Sequence, residues 1–381
     1  MQNPLTALTL AELRERRSIK WRKFDPDVLP LFVAEMDTPL AEPIAEALAA
    51  AVARGDTGYA HPGRLPEAFA AFAARRYGWT PDPARMLVMP DVMRAVAEIL
   101  AVTSEPGDGV VVNTPVYPPF FSVVAITGRR VVASPLARGD DGRYALDLDA
   151  LDRDLGRPDV RVYLLCNPHN PTGLVAGRDE LATIADIAER HGVVVVADEI
   201  HAPLTYPGVS HTPFATVAES GITLVSASKA WNLPGLKAAL AVAGGEDAWA
   251  RLAAVPIEAT FGTGLFGVIA GEAAFTDGER WLDALMTGLD ESRRLLADLL
   301  DRHLPGTGYV RPDATFLAWL DLSTLGFGDD PAAEMLHHGV ALANGPTFGD
   351  PGRGHARLNF ATSPELLAEA VRRMALALPP R

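Results

Sequence analysis

Lysine is scarce in this sequence. It occurs only at Lys20, Lys23, Lys229 and Lys237, while arginine supplies the other thirty of the 34 basic residues. A chain that accepts arginine for a plain positive charge keeps lysine where guanidinium cannot serve, as in an amine that must deprotonate and attack a carbonyl. Two of the four lie eight residues apart in "SASKAWNLPGLK", Ser226 to Lys237. Upstream, "LVMP" leads to Asp91, Val92 and Met93, "VVVNTP" leads to Tyr117, "YLLCNPHNPTG" carries Asn170, and "VVVVAD" leads to Asp198 and His201. Each residue alone has a plain structural explanation: a turn cap for Asp198, loop scaffolding for Asn170, core for Tyr117, a solvated loop amine for Lys229. The set matches what pyridoxal phosphate requires. An amine links to the cofactor aldehyde, and a carboxylate holds the pyridine nitrogen protonated so that the ring can accept electrons. A hydrogen-bond donor steadies the ring oxygen and an aromatic face stacks on the ring. The phosphate needs amides at a helix start, hydroxyls and a cation. Lys229 is expected to be the nucleophilic amine, and Lys237, with Ser226, a compact phosphate partner.

These residues need elements that bring them together. Short apolar runs bounded by turn residues recur through the middle of the chain: "RMLVMP", "GVVVNTP", "RVYLLCNPHNPTG", "GVVVVADE", "ITLVSASK" and "ALAVAGG". They are apolar at consecutive positions, as in strands buried on both faces of a parallel sheet covered by helices. In "DELATIADIAERHG", Leu181, Ile184, Ala185 and Ala188 follow helical spacing and Gly192 ends the run. The unit from "RVYLLC" through this helix to "GVVVVAD" therefore reads as a βαβ crossover. In such open α/β sheets, ligands bind at the carboxyl ends of the strands, where the candidate residues fall. Beyond about residue 280 a long amphipathic helix, a strand-like "ATFLAWLDL" and a closing helix at "PELLAEAVRRMALAL" indicate a smaller α+β domain. The expected fold class is α/β, a mostly parallel central sheet covered by helices. Residues 41–280 form the large domain; residues 1–40 and 281–381 form the small one.

Composition narrows the function. Over 381 residues, 34 basic against 48 acidic side chains leave a net charge of −14, which repels nucleic acid phosphates and anionic membranes. A single cysteine, Cys166, excludes an intrachain disulfide and suits a reducing compartment. The start lacks a secretory signal pattern, and no apolar run approaches the ~20 residues that span a bilayer. A cytoplasmic protein is expected.

The motifs "NPHNPTG", "ADEIH" and "SASKAWNLPGLK" resemble those of fold-type I pyridoxal phosphate enzymes, the aspartate aminotransferase superfamily, and the 31-residue separation of Asp198 and Lys229 fits it. More closely, "KW", "LPLFVAEMD", "GYAHPGRLPEA", "PVYPPF" and "DEIH" resemble the MalY/PatB branch of cystathionine β-lyases, nearly end to end. The resemblance implies that Lys229 is both the cofactor-linked lysine and the base for the substrate Cα proton. Asp198 would face the pyridine nitrogen, Asn170 would bond the ring oxygen with His201 near it, and Tyr117 would stack on the ring. Val92, Met93, Ser226, Ser228 and Lys237 would hold the phosphate. Arg357, with Asn170 and Asp37, would meet the substrate, the guanidinium clamping its carboxylate. Tyr59 would reach the phosphate of a second subunit, so a homodimer with shared sites is implied.

Asp91, Phe32, Glu35 and Thr38 depart from the family pattern. Asp91 stands where a small residue is usual, and its carboxylate would repel a phosphate unless it turns away to cap the following helix. In "FVAEMDTP", Glu35 and Thr38 replace the usual residues, Thr38 in place of an aromatic, which leaves the substrate side chain open. The implied activity is cleavage of L-cystathionine or related S-substituted cysteines to a thiol, pyruvate and ammonia. An aminotransferase on the same fold is the alternative. A metal hydrolase built on His169, Asp198, Glu199 and His201 lacks any metal-binding spacing, so no metal is expected. A cofactor-binding regulator on this fold usually carries an extra DNA-binding domain, for which no room is expected before Trp21.

Overall fold

The computed structural model describes residues 2–378. The N-terminal segment reaches β1 (Leu29–Pro30), which pairs in parallel with a strand far along the chain at Val340. The chain then lays down β2 (Met86–Met89), β3 (Gly109–Val112) and β4 (Arg130–Ala133), followed by a small hairpin, β5 (Ala137–Arg138) and β6 (Tyr144–Ala145). Next come β7 (Val160–Cys166), β8 (Val194–Asp198), β9 (Ile222–Val225) and β10 (Ala239–Ala243). The seven-stranded central sheet has the order β2-β10-β9-β8-β7-β3-β4.

Consecutive apolar residues are explained by two-sided burial. On β8, Val194 and Val196 pack into one core, and Val195 and Ala197 into another on the opposite face. The β7–helix–β8 unit is the expected crossover: the helix Arg178–His191 ends at Gly192 in the left-handed conformation (φ 65°), and β7 and β8 pair in parallel. One strand differs from expectation. β10 runs antiparallel to both β2 and β9, although its burial is complete. An apolar run reports burial on two faces, and this strand meets that condition while running against its neighbours.

The second sheet has four strands, β11 (Gly308–Tyr309), β12 (Leu317–Asp321), β14 (Ala343–Asn344) and β15 (His355–Asn359), in the order β11-β12-β15-β14, while β13 (Val340–Ala341) pairs with β1. The helices Glu279–His303 and Pro364–Ala375 pack against it through Leu285, Leu289, Leu296, Leu367, Val371 and Met374. Among the described residues, no helix is long and apolar enough to cross a membrane.

Candidate active site

Every strand of the central sheet except β10 runs the same way, so the carboxyl ends of β2, β3, β7, β8 and β9 open onto one edge. A cavity of about 340 Å³ lies there, and Asp91, Val92, Met93, Tyr117, Asn170, Asp198, His201, Ser226, Ser228, Lys229 and Lys237 line it. Residues from five separate strand ends, spread over nearly 150 positions of sequence, thus meet around one space.

Lys229 projects from the loop after β9, and its Nζ donates to the backbone carbonyl of Ala34 at 3.1 Å. Burial, and next the charge of Arg357, lower its pKa to about 8, while Asp198 and Glu35 pull the other way. An amine so placed is free of its proton far more often near neutral pH than an ordinary lysine. Asp198 ends β8, with Oδ1 accepting from the amide of Ile200 at 3.1 Å. Burial raises its pKa to about 7, against the Ile200 bond and the charge of Lys229. A cationic ring nitrogen opposite it would restore the ionised form. His201 is 2% exposed, and burial, then the charges of Lys229 and Arg357, hold it well below the usual range, so the imidazole is neutral.

Arg357 lies on β15 beside the cavity. Its Nη1 donates to Asn170 Oδ1 and its Nη2 to the carbonyl of Phe32, both at 2.9 Å. Burial lowers its pKa to about 10, which leaves it charged at neutral pH. Its Nε and the Nδ1 of His201 are buried and lack a protein partner.

At the Lys237 end of the cavity, the Asp91 carboxylate turns to cap the helix that follows it, Val92–Thr103, with Oδ1 accepting the Arg94 amide at 2.8 Å, and its Oδ2 pairs with Lys237 Nζ at 2.9 Å. Burial opposes its charge, but the Lys237 and Arg94 bonds prevail and hold the carboxyl below its usual range. The carboxylate therefore anchors the lysine. Lys237 itself has a left-handed backbone (φ 60°), as does Asn232 (φ 57°) earlier in the same loop. Ser226 Oγ donates to Ala238 O at 2.7 Å and accepts the Ser228 amide at 3.1 Å, fixing the turn that presents Lys229.

Four residues singled out in the sequence stand elsewhere. Asp37 is 2% exposed, paired with Lys20 Nζ at 2.9 Å and accepting from Trp21 Nε1 at 3.1 Å, away from the cavity wall. Thr38 is buried and Glu35 bonds Ser18 Oγ at 2.5 Å; neither lines the cavity. Tyr59 is 99% exposed and borders a separate groove. Sequence reasoning passed over Asn232 and Asn359. Asn232 exchanges two hydrogen bonds of 2.8 Å with the backbone of Met36, and Asn359 Nδ2 donates to Val33 O and Glu35 O at 2.8 and 2.7 Å. Asn359 sits two residues after Arg357 in the same motif, the available signal that this strand serves the site with more than one side chain.

The class I and II aminotransferase model matches residues 26–374. The chain belongs to that family. Within the class I and II aminotransferases, cystathionine beta-lyase PatB of Bacillus subtilis is 36% identical, with 95% of this chain and 97% of PatB covered. A cystathionine beta-lyase of Corynebacterium glutamicum is likewise 36% identical, over 97% of this chain and 99% of its own. Among solved structures, the PLP-bound C-S lyase of Staphylococcus hominis superposes with a TM-score of 0.89 at 28% identity, covering 95% of this chain and 96% of that one.

The residues present fit pyridoxal phosphate. The cavity has an amine with a lowered pKa, a buried carboxylate, a ring face at Tyr117, and at one end a helix start with the Ser228 hydroxyl and the Lys237 ammonium. The unpartnered Nε of Arg357 asks for an acceptor, and the unpartnered Nδ1 of His201 for a hydrogen-bond partner, that the protein does not supply.

Proposed function

We propose that this chain is a pyridoxal phosphate-dependent carbon–sulfur β-lyase acting on L-cystathionine or related S-substituted cysteines. The observation that carries the reading is the convergence of Lys229, Asp198 and Asn170 on one cavity, with Arg357 bonded directly to Asn170. The cofactor, when bound, supplies an electron sink for the charge that develops at the substrate Cα. Asp198 would hold its ring nitrogen, Asn170 and the neutral His201 its ring oxygen, Tyr117 would cover a face, and Val92, Met93, Ser226, Ser228 and Lys237 would hold its phosphate.

Arg357 fixes the substrate carboxylate through its nitrogen fork. That anchor places the Cα–H bond beside Lys229, whose lowered pKa suits it to take the proton. With charge at Cα, the Cβ–S bond breaks, the sulfur leaves as thiolate, and the three-carbon enamine hydrolyses to pyruvate and ammonia. A thiolate β to that charge departs readily, so elimination competes well against return of the proton elsewhere. The relatives named as cystathionine beta-lyases at 36% identity support this outcome.

The reading includes a homodimer, with Tyr59 reaching a neighbouring subunit's phosphate, and a cytoplasmic setting, supported by the lone buried Cys166. The deciding experiment supplies L-cystathionine and several S-alkyl cysteines to the purified, cofactor-loaded protein, with and without 2-oxoglutarate. Pyruvate and thiol released without the keto acid support the lyase. Product that forms only with the keto acid, with glutamate accumulating in step, makes the protein an aminotransferase.

A further inference from the structure

Lys20 has no part in the site as described, yet it is one of four lysines in an arginine-rich chain and is 1% exposed. Its ammonium lies between Asp37 Oδ2 and the carbonyl of Glu35, each at 2.9 Å, and Trp21 Nε1 holds the second carboxylate oxygen at 3.1 Å. The segment it grips is short and irregular, and alternate carbonyls of that segment face the reactive groups: Phe32 O receives Arg357 Nη2 at 2.9 Å and Ala34 O receives Lys229 Nζ at 3.1 Å. Asn359 and Asn232 tie the same segment from other sides, through Val33, Glu35 and Met36.

We propose that Lys20 is a positioning residue for the reaction: the sealed Lys20–Asp37 pair fixes the carbonyl row of residues 32–35, and that row aims the Lys229 amine and the Arg357 guanidinium. A compact ammonium with three donors fits between a carbonyl and a carboxylate in a closed space where the planar guanidinium fork would not. The energetic logic supports a strut. Removing one member of a buried pair leaves an uncompensated charge, whereas replacing both by apolar groups is often tolerated. The pair can therefore be removed while the fold is kept, and its influence on the site read separately.

The proposal rests on the assignment of Lys229 and Arg357 above, so the test has one arm that needs no lyase activity. Lys20→Met combined with Asp37→Leu removes both charges, and Asn232→Gly loosens the same segment from the opposite side while accommodating the left-handed backbone there. In the cofactor-free protein, acylation of Lys229 followed across pH by peptide mass mapping should show a lower midpoint in both variants, because the carbonyl that stabilises the ammonium is displaced. In the loaded enzyme, KM for an S-substituted cysteine should rise about tenfold to a hundredfold as Arg357 loses its aim, and kcat per active site should fall as Lys229 loses its own. A folded double variant with the parental acylation midpoint and KM overturns the proposal. Loss of thermal stability and active fraction with KM unchanged makes the pair structural only, which also overturns it. If the parent releases no pyruvate while the midpoints still move, the lyase reading fails and the positioning role stands.

Discussion

Two groups at the centre of the site are held away from their ordinary protonation behaviour by the same cause. Burial disfavours the ammonium of Lys229 and the carboxylate of Asp198 alike, bringing their pKa values to about 8 and about 7. For Lys229 the sign is plain: its charged form is the one penalised, so the free amine becomes dominant as pH rises through about 8 rather than through the usual lysine range. Acylation of Lys229 in cofactor-free protein should therefore climb around pH 8; a midpoint near 10.5, its ordinary value, would show an amine open to water. For Asp198 the expected result concerns chemistry more than binding. Asp198→Ala should still take up cofactor through Lys229 and the phosphate contacts. Its turnover should fall by roughly two to four orders of magnitude, because an uncompensated buried charge costs about 3–5 kcal/mol. Near-parental activity would mean that another group serves the ring nitrogen. Both residues were legible in the sequence, Lys229 from lysine scarcity and Asp198 from its place at the end of an apolar run. The partners of Asp37 were not. A motif quotes Asp37 beside site residues, but only the folded chain shows that Lys20 and Trp21, sixteen or more residues earlier, take both carboxylate oxygens.

At the scale of elements, the loop that carries both site lysines depends on a close backbone approach. A Cβ at Gly267, on the helix Leu265–Asp277, would fall 2.3 Å from the carbonyl of Leu236, and one at Gly264 would meet the same oxygen at 2.3 Å. The helix and the loop touch backbone to backbone just before Lys237. Gly267→Ala should therefore push the loop outward, with a stability loss of about 1–3 kcal/mol typical of overpacking. It should also weaken cofactor binding by detaching Lys237 from Asp91. Thermal melting and absorbance titration with pyridoxal phosphate check the two effects, and an unchanged cofactor affinity would mean that the loop tolerates the shift. Nothing in the sequence marks Gly267, since the clash lies between elements thirty residues apart in the chain. Local signals read well by contrast. The Arg178–His191 helix stops at Gly192 because only a left-handed residue closes it, and that information is carried by the glycine itself. The direction of β10 was not readable, because burial of both faces fixes composition and leaves strand polarity to the connections on either side.

The molecule as a whole exposes an apolar surface that its own chain leaves uncovered. Tyr59, Ile257 and Phe261 are 99%, 62% and 69% exposed, and they border one groove of about 590 Å³. Large apolar side chains gathered at a groove mark an interaction surface. A net charge of −14 argues against nucleic acid or an anionic membrane as the occupant, and a second copy of the chain is the partner that the Tyr59 assignment requires. The consequence is testable by complementation. Lys229→Ala removes the amine from its own site, and Tyr59→Ala removes the ring that the proposed dimer would supply to a neighbour's site. Each homodimer should be inactive or strongly impaired. In a mixed dimer, one of the two sites combines an intact Lys229 with an intact Tyr59 from the other subunit. Mixing the two variants in equal amounts under demonstrated random subunit exchange makes half of the dimers mixed, each with one working site of two, so about a quarter of parental activity should return. The second site carries both losses and contributes nothing, so recovery cannot exceed that fraction. If exchange occurs and activity does not return, Tyr59 acts within its own chain, and the exposed groove serves contact between subunits without completing the neighbour's site.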